Sequence, residues 1–194
     1  MNVNYKLNTT FFSKELFGFW LYLMSDCIIF FTLFSVYFIL KNNISHGPSG
    51  NDIFQYTVII KETFLLLFSS FSCSLSLFKF KQGDKFKTIF WLLFTFLLGS
   101  GFFLLEIFEF FNLISKGYGP SCSGFLSSLF ALISMHGFHV FLGLLWILVI
   151  IRDIFIFSIS NIVYRRILCL NLFWHFLDIV WVFLFSIVYL FGVT

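Results

Sequence analysis

A chain of 194 residues that is 60% hydrophobic and only 11% charged, with a mean hydropathy of +0.99, cannot cover a water-facing exterior. A soluble domain carries about a quarter charged residues, so the solvent of this chain is lipid. The net charge of +3 says little by itself; no basic patch lies outside the loops, and no nucleic-acid partner is expected.

The first sixteen residues are mixed and polar, and the apolar run after them is too long for the core of a removable signal peptide. A spanning helix needs roughly 20 mostly apolar residues. The sequence predicts the first from Phe17 to Leu40, followed by a turn at His46-Gly-Pro-Ser-Gly50. The second, Thr57 to Phe78, is the weakest because Lys61 and Glu62 lie at its start. The third runs from Ile89 to Leu113, before the turn-forming stretch Gly117 to Gly124. The fourth covers Phe125 to Ile151 and the fifth Ile167 to Phe191. Backbone groups in hydrocarbon must be satisfied within the segment, so the fold is all-α: a polytopic membrane protein of five transmembrane helices in one domain, residues 1–194.

Basic residues set the orientation. With the N-terminus cytoplasmic, the inner side holds Lys6, Lys14, Lys79, Lys81, Lys85, Lys87, Arg152, Arg165 and Arg166. The outer side holds only Lys41, Lys61 and Lys116, which places the C-terminus in the periplasm. Trp20 and Trp91 suit an interfacial aromatic belt at the inner ends of the first and third helices.

Five acids and three histidines fall within the spans: Asp26, Glu62, Glu106, Glu109, His136, His139, His175 and Asp178. An acid at mid-bilayer costs at least ~2.5–3.5 kcal/mol on insertion scales, so each needs a partner. Glu106 and Glu109, His136 and His139, and His175 and Asp178 are i, i+3 pairs, each predicted to share a helix face. Asp26, His139, His175 and Asp178 fall roughly 12–17 Å in from the inner helix ends. Glu62, Glu106 and Glu109 fall in the outer third, so two polar layers are expected.

Three readings of these residues stand side by side. They can be hydrogen-bonding glue between helices. They can form a proton-handling or lipid-headgroup site. Their spacing is also similar to that of the carboxylate and histidine sets in metal-holding bundles. Half a helix separates the glutamates from the His–Asp pair, which argues against one shared ion. Cys27, Cys73, Cys122 and Cys169 have no CxxC spacing, so neither a disulfide framework nor a thiolate site is supported. No metal, haem or copper is expected on this chain, and no catalytic residue. Gly99, Gly101, Gly137 and Gly143 allow close helix approach, and the serines from Ser69 to Ser76 can bond their own carbonyls or a neighbouring helix.

Specific strings narrow the class. Phe17-Gly-Phe-Trp-Leu-Tyr-Leu-Met-Ser-Asp26-Cys resembles the opening helix of the haem–copper oxidase subunit III family. So do Leu104-Leu-Glu106-Ile-Phe-Glu109-Phe, Ser134-Met-His136-Gly-Phe-His139-Val and Phe173-Trp-His175-Phe-Leu-Asp178-Ile-Val-Trp181, in the right order from about Leu16 to Gly192. The five-helix count, with Gly47 to Phe54 and Glu62 to Ser70, resembles the branch in bacterial cytochrome o/bo-type ubiquinol oxidases; the mitochondrial type has seven helices.

The resemblance implies a complex of the bacterial inner membrane that oxidises ubiquinol, reduces oxygen to water and pumps protons. Subunit I holds the haems and copper and is the main partner, other subunits join it, and subunit III carries no redox centre. It further implies a bundle split by a cleft that holds phospholipid, with Asp26 on the side facing subunit I and tied to sustained proton uptake. The resemblance also implies that Glu62, Glu106, Glu109, His136, His139, His175 and Asp178 match the family's conserved acid and histidine positions, and Asp26 stands where many relatives carry Glu. The expected function is therefore an accessory, non-catalytic subunit that supports assembly, lipid retention and proton uptake. The alternative is an independent proton-coupled transporter built on the same acids and histidines. Against it, five helices do not divide into paired repeats, and no span is broken at its middle by Gly or Pro.

Overall fold

The computed structural model describes residues 9–41, 56–120 and 122–190. Lys6, the turn His46 to Gly50, the stretch Gly47 to Phe54 and the chain end beyond Leu190 lie outside them. The described residues are helical: α1 Thr9–Leu40, α2 Tyr56–Lys81, α3 Lys85–Ser115, α4 Gly124–Phe157 and α5 Asn161–Leu184, continued by a π-helical turn, Phe185–Leu190. All five helices are long and apolar enough to cross a membrane.

Each end has a local cause. Gly83 (φ 86°) closes α2 through Gly83 N–H to the Phe80 carbonyl, 3.0 Å, and Asp84 N–H to the Lys79 carbonyl, 3.2 Å. Gly117 (φ 82°) closes α3 in the same way on Ile114 and Leu113, both at 3.0 Å. This is the Schellman arrangement, whose left-handed residue glycine adopts without strain. Ser123 caps α4 by accepting from Leu126 N–H at 3.1 Å, and Ser160 caps α5 by accepting from Val163 N–H at 3.4 Å.

All five helices outrun their apolar spans, most of all α1, which starts before Phe17, α4, which continues past Ile151, and α5, which begins at Asn161 instead of Ile167. Apolarity bounds only the lipid-immersed part, whereas the projecting turns are held by ion pairs. Arg165 reaches Glu15 at 2.7 Å, and Arg166 pairs with Asp153, so α1, α4 and α5 are tied together at one end.

Four helices close a ring in which α2 neighbours α3, α3 neighbours α4, α4 neighbours α5, and α5 returns to α2. Helix α1 lies outside it, against α4 and α5. Only 17% of its spanning window is buried, against 50% for α5. An apolar groove of about 540 Å³, walled by Phe30, Phe34, Phe38, Phe176 and Phe183, opens between α1 and α5.

Trp174 pins the ring from within. Its indole edge lodges between two glycines: an added Cβ would stand 2.9 Å from Trp174 Cζ2 at Gly99 and 2.8 Å from Trp174 Cζ3 at Gly143. Its Nε1–H donates to Ser69 Oγ at 2.9 Å. One side chain of α5 thus meets α2, α3 and α4 together.

Candidate functional site

The buried polar residues resolve into three groups. In the first, Asp26 of α1 and His139 of α4 meet at 3.5 Å between carboxylate and Nε2, both almost fully buried. His139 Nδ1 lies 2.8 Å from the Met135 carbonyl, which can only accept. The Nδ1 proton is therefore committed, and Nε2 is left to face the carboxylate. Tyr22 lies one turn before Asp26, close to the same carboxyl group. Asp26 thus points into this chain's own interior, with 5% exposure. Its carboxyl group turns to His139 of α4 within the chain. The reason is local: α4 offers the only described imidazole within reach, and an acid in lipid turns toward its partner.

The second group joins α5 to α2. His175 Nε2 is 2.9 Å from Ser74 Oγ, and His175 Nδ1 is 3.7 Å from Asp178 Oδ2. Ser74 also reaches Asn171 Oδ1 at 3.3 Å, and Ser70 lies against Asp178. The sequence predicts one inner layer containing Asp26, His139, His175 and Asp178. The structure separates it into two pairs, because α5 turns its His–Asp face toward α2 while α1 sits on the opposite flank.

The third group is acidic. Glu62 of α2 and Glu106 and Glu109 of α3 lie within electrostatic reach of one another, as the outer layer predicts. Glu62 and Glu106 are buried, and none of their four carboxyl oxygens has a hydrogen-bond partner among the described residues. The Glu106 carboxyl rests on the α4 backbone, its Oε2 2.8 Å from where a Cβ would stand on Gly137.

His136 does not share its neighbour's surroundings. It is fully buried against Trp181 (ring centroids 5.3 Å apart) and edge-on to Phe102 (5.8 Å), and both its ring nitrogens are unpaired among the described residues. The predicted common face with His139 therefore divides, His136 turning toward α3 and α5 and His139 toward α1. Trp181 in turn donates to Thr63 Oγ1 at 3.1 Å.

The serines of α2 do both things the sequence allows. Ser69, Ser70, Ser72 and Ser76 donate to carbonyls one turn back, and Ser72 also meets Thr95 of α3 at 2.7 Å. Sequence reasoning missed the role of Trp174, the Trp181–Thr63 bond and the Arg166–Asp153 pair. The signal for the first was present in Gly99 and Gly143, which read only as packing until a partner ring is placed between them. The four cysteines are free, and among the described residues no group of three or more His, Cys, Asp or Glu converges as a metal site would require.

Five apolar helices, interhelical acids and histidines, and this spacing define a membrane subunit of a known type: the chain belongs to the cytochrome c oxidase subunit III family, whose profile matches residues 4–193. Among its relatives, one from Buchnera aphidicola subsp. Baizongia pistaciae, named cytochrome bo(3) ubiquinol oxidase subunit 3, is 64% identical over 194 residues, all of both chains. One of the same name from Pseudomonas putida is 48% identical over 91% of this chain and 85% of its own. A Bacillus subtilis relative named quinol oxidase subunit 3 is 37% identical over 90% of this chain and 86% of its own.

Proposed function

We propose that this chain is the accessory subunit III of a bacterial cytochrome bo-type ubiquinol oxidase, a complex that oxidises ubiquinol, reduces oxygen and pumps protons. The observation that carries the reading is full-length identity of 64% to a relative bearing that name. In this reading haem and copper reside in subunit I, the main partner, within the inner membrane. The whole chain acts as one unit with its N-terminus cytoplasmic, which nine of twelve basic residues support.

The eight acids and histidines within the spans, six of them buried, hold the bundle in shape and keep polar groups near a proton-conducting neighbour. Asp26 does so through His139, which supports a positioning role inside this chain. The groove between α1 and α5, with its phenylalanine walls, is the place for a structural phospholipid tail.

The test is to isolate the tagged chain from membranes in mild detergent. The expected result is co-purification with a polytopic haem protein and ubiquinol-dependent oxygen consumption, while the chain expressed alone shows no haem absorbance. A chain that runs alone, or that carries haem by itself, refutes the proposal.

A further inference from the structure

A second groove opens between α3 and α4 on the outside of the ring, about 260 Å³ in volume. Phe103, Phe110, Phe138 and Phe141 wall it, and Glu106 and Ser134 are its polar groups. Glu106 is 4% exposed and both its oxygens lack partners among the described residues. Glu62 and Glu109, the charged groups nearest to it, are acids and offer no counter-charge. Ser134 is likewise unspent: it makes no hydrogen bond to any described residue, whereas Ser25, Ser35, Ser100 and Ser128 each donate to a carbonyl of their own helix.

A buried acceptor without a donor costs about 1–3 kcal/mol, and more when charged. Ionisable groups inside a membrane pair with a partner and mark functional sites, so Glu106 calls for a donor that the described residues do not supply. Depth decides what that is. Glu106 lies nine residues before the end of α3 and Ser134 ten after the start of α4. Both are therefore about 14–15 Å below their helix ends. An acyl chain brings no donor to that level, and a lipid phosphate beside three carboxyl groups is repelled. The groove is also the size of one large side chain, too short for an extended lipid tail.

We propose that the α3–α4 groove is an interface for a transmembrane helix of another subunit, which inserts one basic, amide or hydroxyl side chain to hydrogen-bond Glu106 and Ser134. Aromatic walls supply the packing, and the buried carboxyl supplies the directional contact that fixes register. This rests on the multisubunit reading above, and it adds the surface and the chemistry of the contact.

The experiment places a benzophenone amino acid at Phe138, a groove wall 55% exposed, in the intact detergent-purified complex, followed by irradiation. The expected product is an adduct between this chain and another membrane subunit. A second variant, Glu106→Leu, lowers the adduct yield roughly tenfold or more, and Glu106→Gln restores much of it. Adducts with lipid only, or none, in a complex whose haem protein still co-purifies overturn this inference while leaving the subunit reading standing. An adduct yield indifferent to Glu106→Leu overturns the role given to the carboxyl. A chain that purifies without partners overturns both readings.

Discussion

Replacing Gly143 by alanine tests the packing of the ring at its tightest point. The new Cβ would stand 2.8 Å from Trp174 Cζ3, 3.1 Å from Phe173 Cε1 and 3.2 Å from Trp174 Cε3. The indole cannot slide away from α4 freely, because its opposite edge already fills the space above Gly99, where a Cβ would be 2.9 Å away. Either the ring tilts and strains its bond to Ser69, or α4 and α5 separate. Overpacking of this kind costs typically 1–3 kcal/mol, and the enclosure on both edges points to the upper half of that range. Thermal denaturation of the purified complex, followed by loss of this subunit, measures it. Gly101→Ala is the control, since a Cβ there meets nothing within 4 Å, and it is expected to be neutral or slightly stabilising. The steric account also predicts that Gly143→Ala and Trp174→Phe are non-additive, the smaller ring relieving part of the clash. Equal stability of Gly143→Ala and Gly101→Ala, or simple additivity in the cycle, refutes the reasoning.

Trp174→Phe alone loses the donor to Ser69 and is expected to cost about 0.6–2 kcal/mol in the same denaturation assay. Gly137→Ala is expected to be milder than Gly143→Ala, because the displaced atoms belong to the flexible end of Glu106; stability comparable to Gly101→Ala would agree, and a loss matching Gly143→Ala would not. Asp26→Leu strips His139 of its partner and is expected to cost about 1–3 kcal/mol, while Asp26→Asn, whose amide can still donate to Nε2, loses much less; protease sensitivity of α1 reads the difference. Glu15→Gln removes a half-exposed ion pair to Arg165 and is expected to change stability by less than about 1 kcal/mol.

The number and place of the helices were legible because lipid imposes one rule on every span, and that rule is written in local composition. Helix ends beyond the bilayer were not, since Arg165, Arg166 and Asp153 look like ordinary loop charges until α4 and α5 are set side by side. Depth was readable for Glu62 and Glu106, which lie within electrostatic reach of each other. It could not separate the Asp26 pair from the Asp178 pair, because depth says how far along a helix a residue lies and nothing about which way it faces. The i, i+3 rule failed at His136 and His139 for a related reason: three residues turn a helix through about 300°, and that offset suffices to aim two rings at different neighbours. Trp174 was invisible as a pin because its two glycine seats come from α3 and α4, remote in sequence from it and from each other.

The order of neighbours has a consequence for how the chain is built. Each of α3 to α5 can pair with the helix made just before it, so the ring can grow as synthesis proceeds. Helix α1 cannot, because its partners α4 and α5 are the last to appear. During that interval Asp26 waits in the bilayer without its imidazole. Helix α1 therefore cannot be seated before α4 is made, and until then its acid has no imidazole to meet.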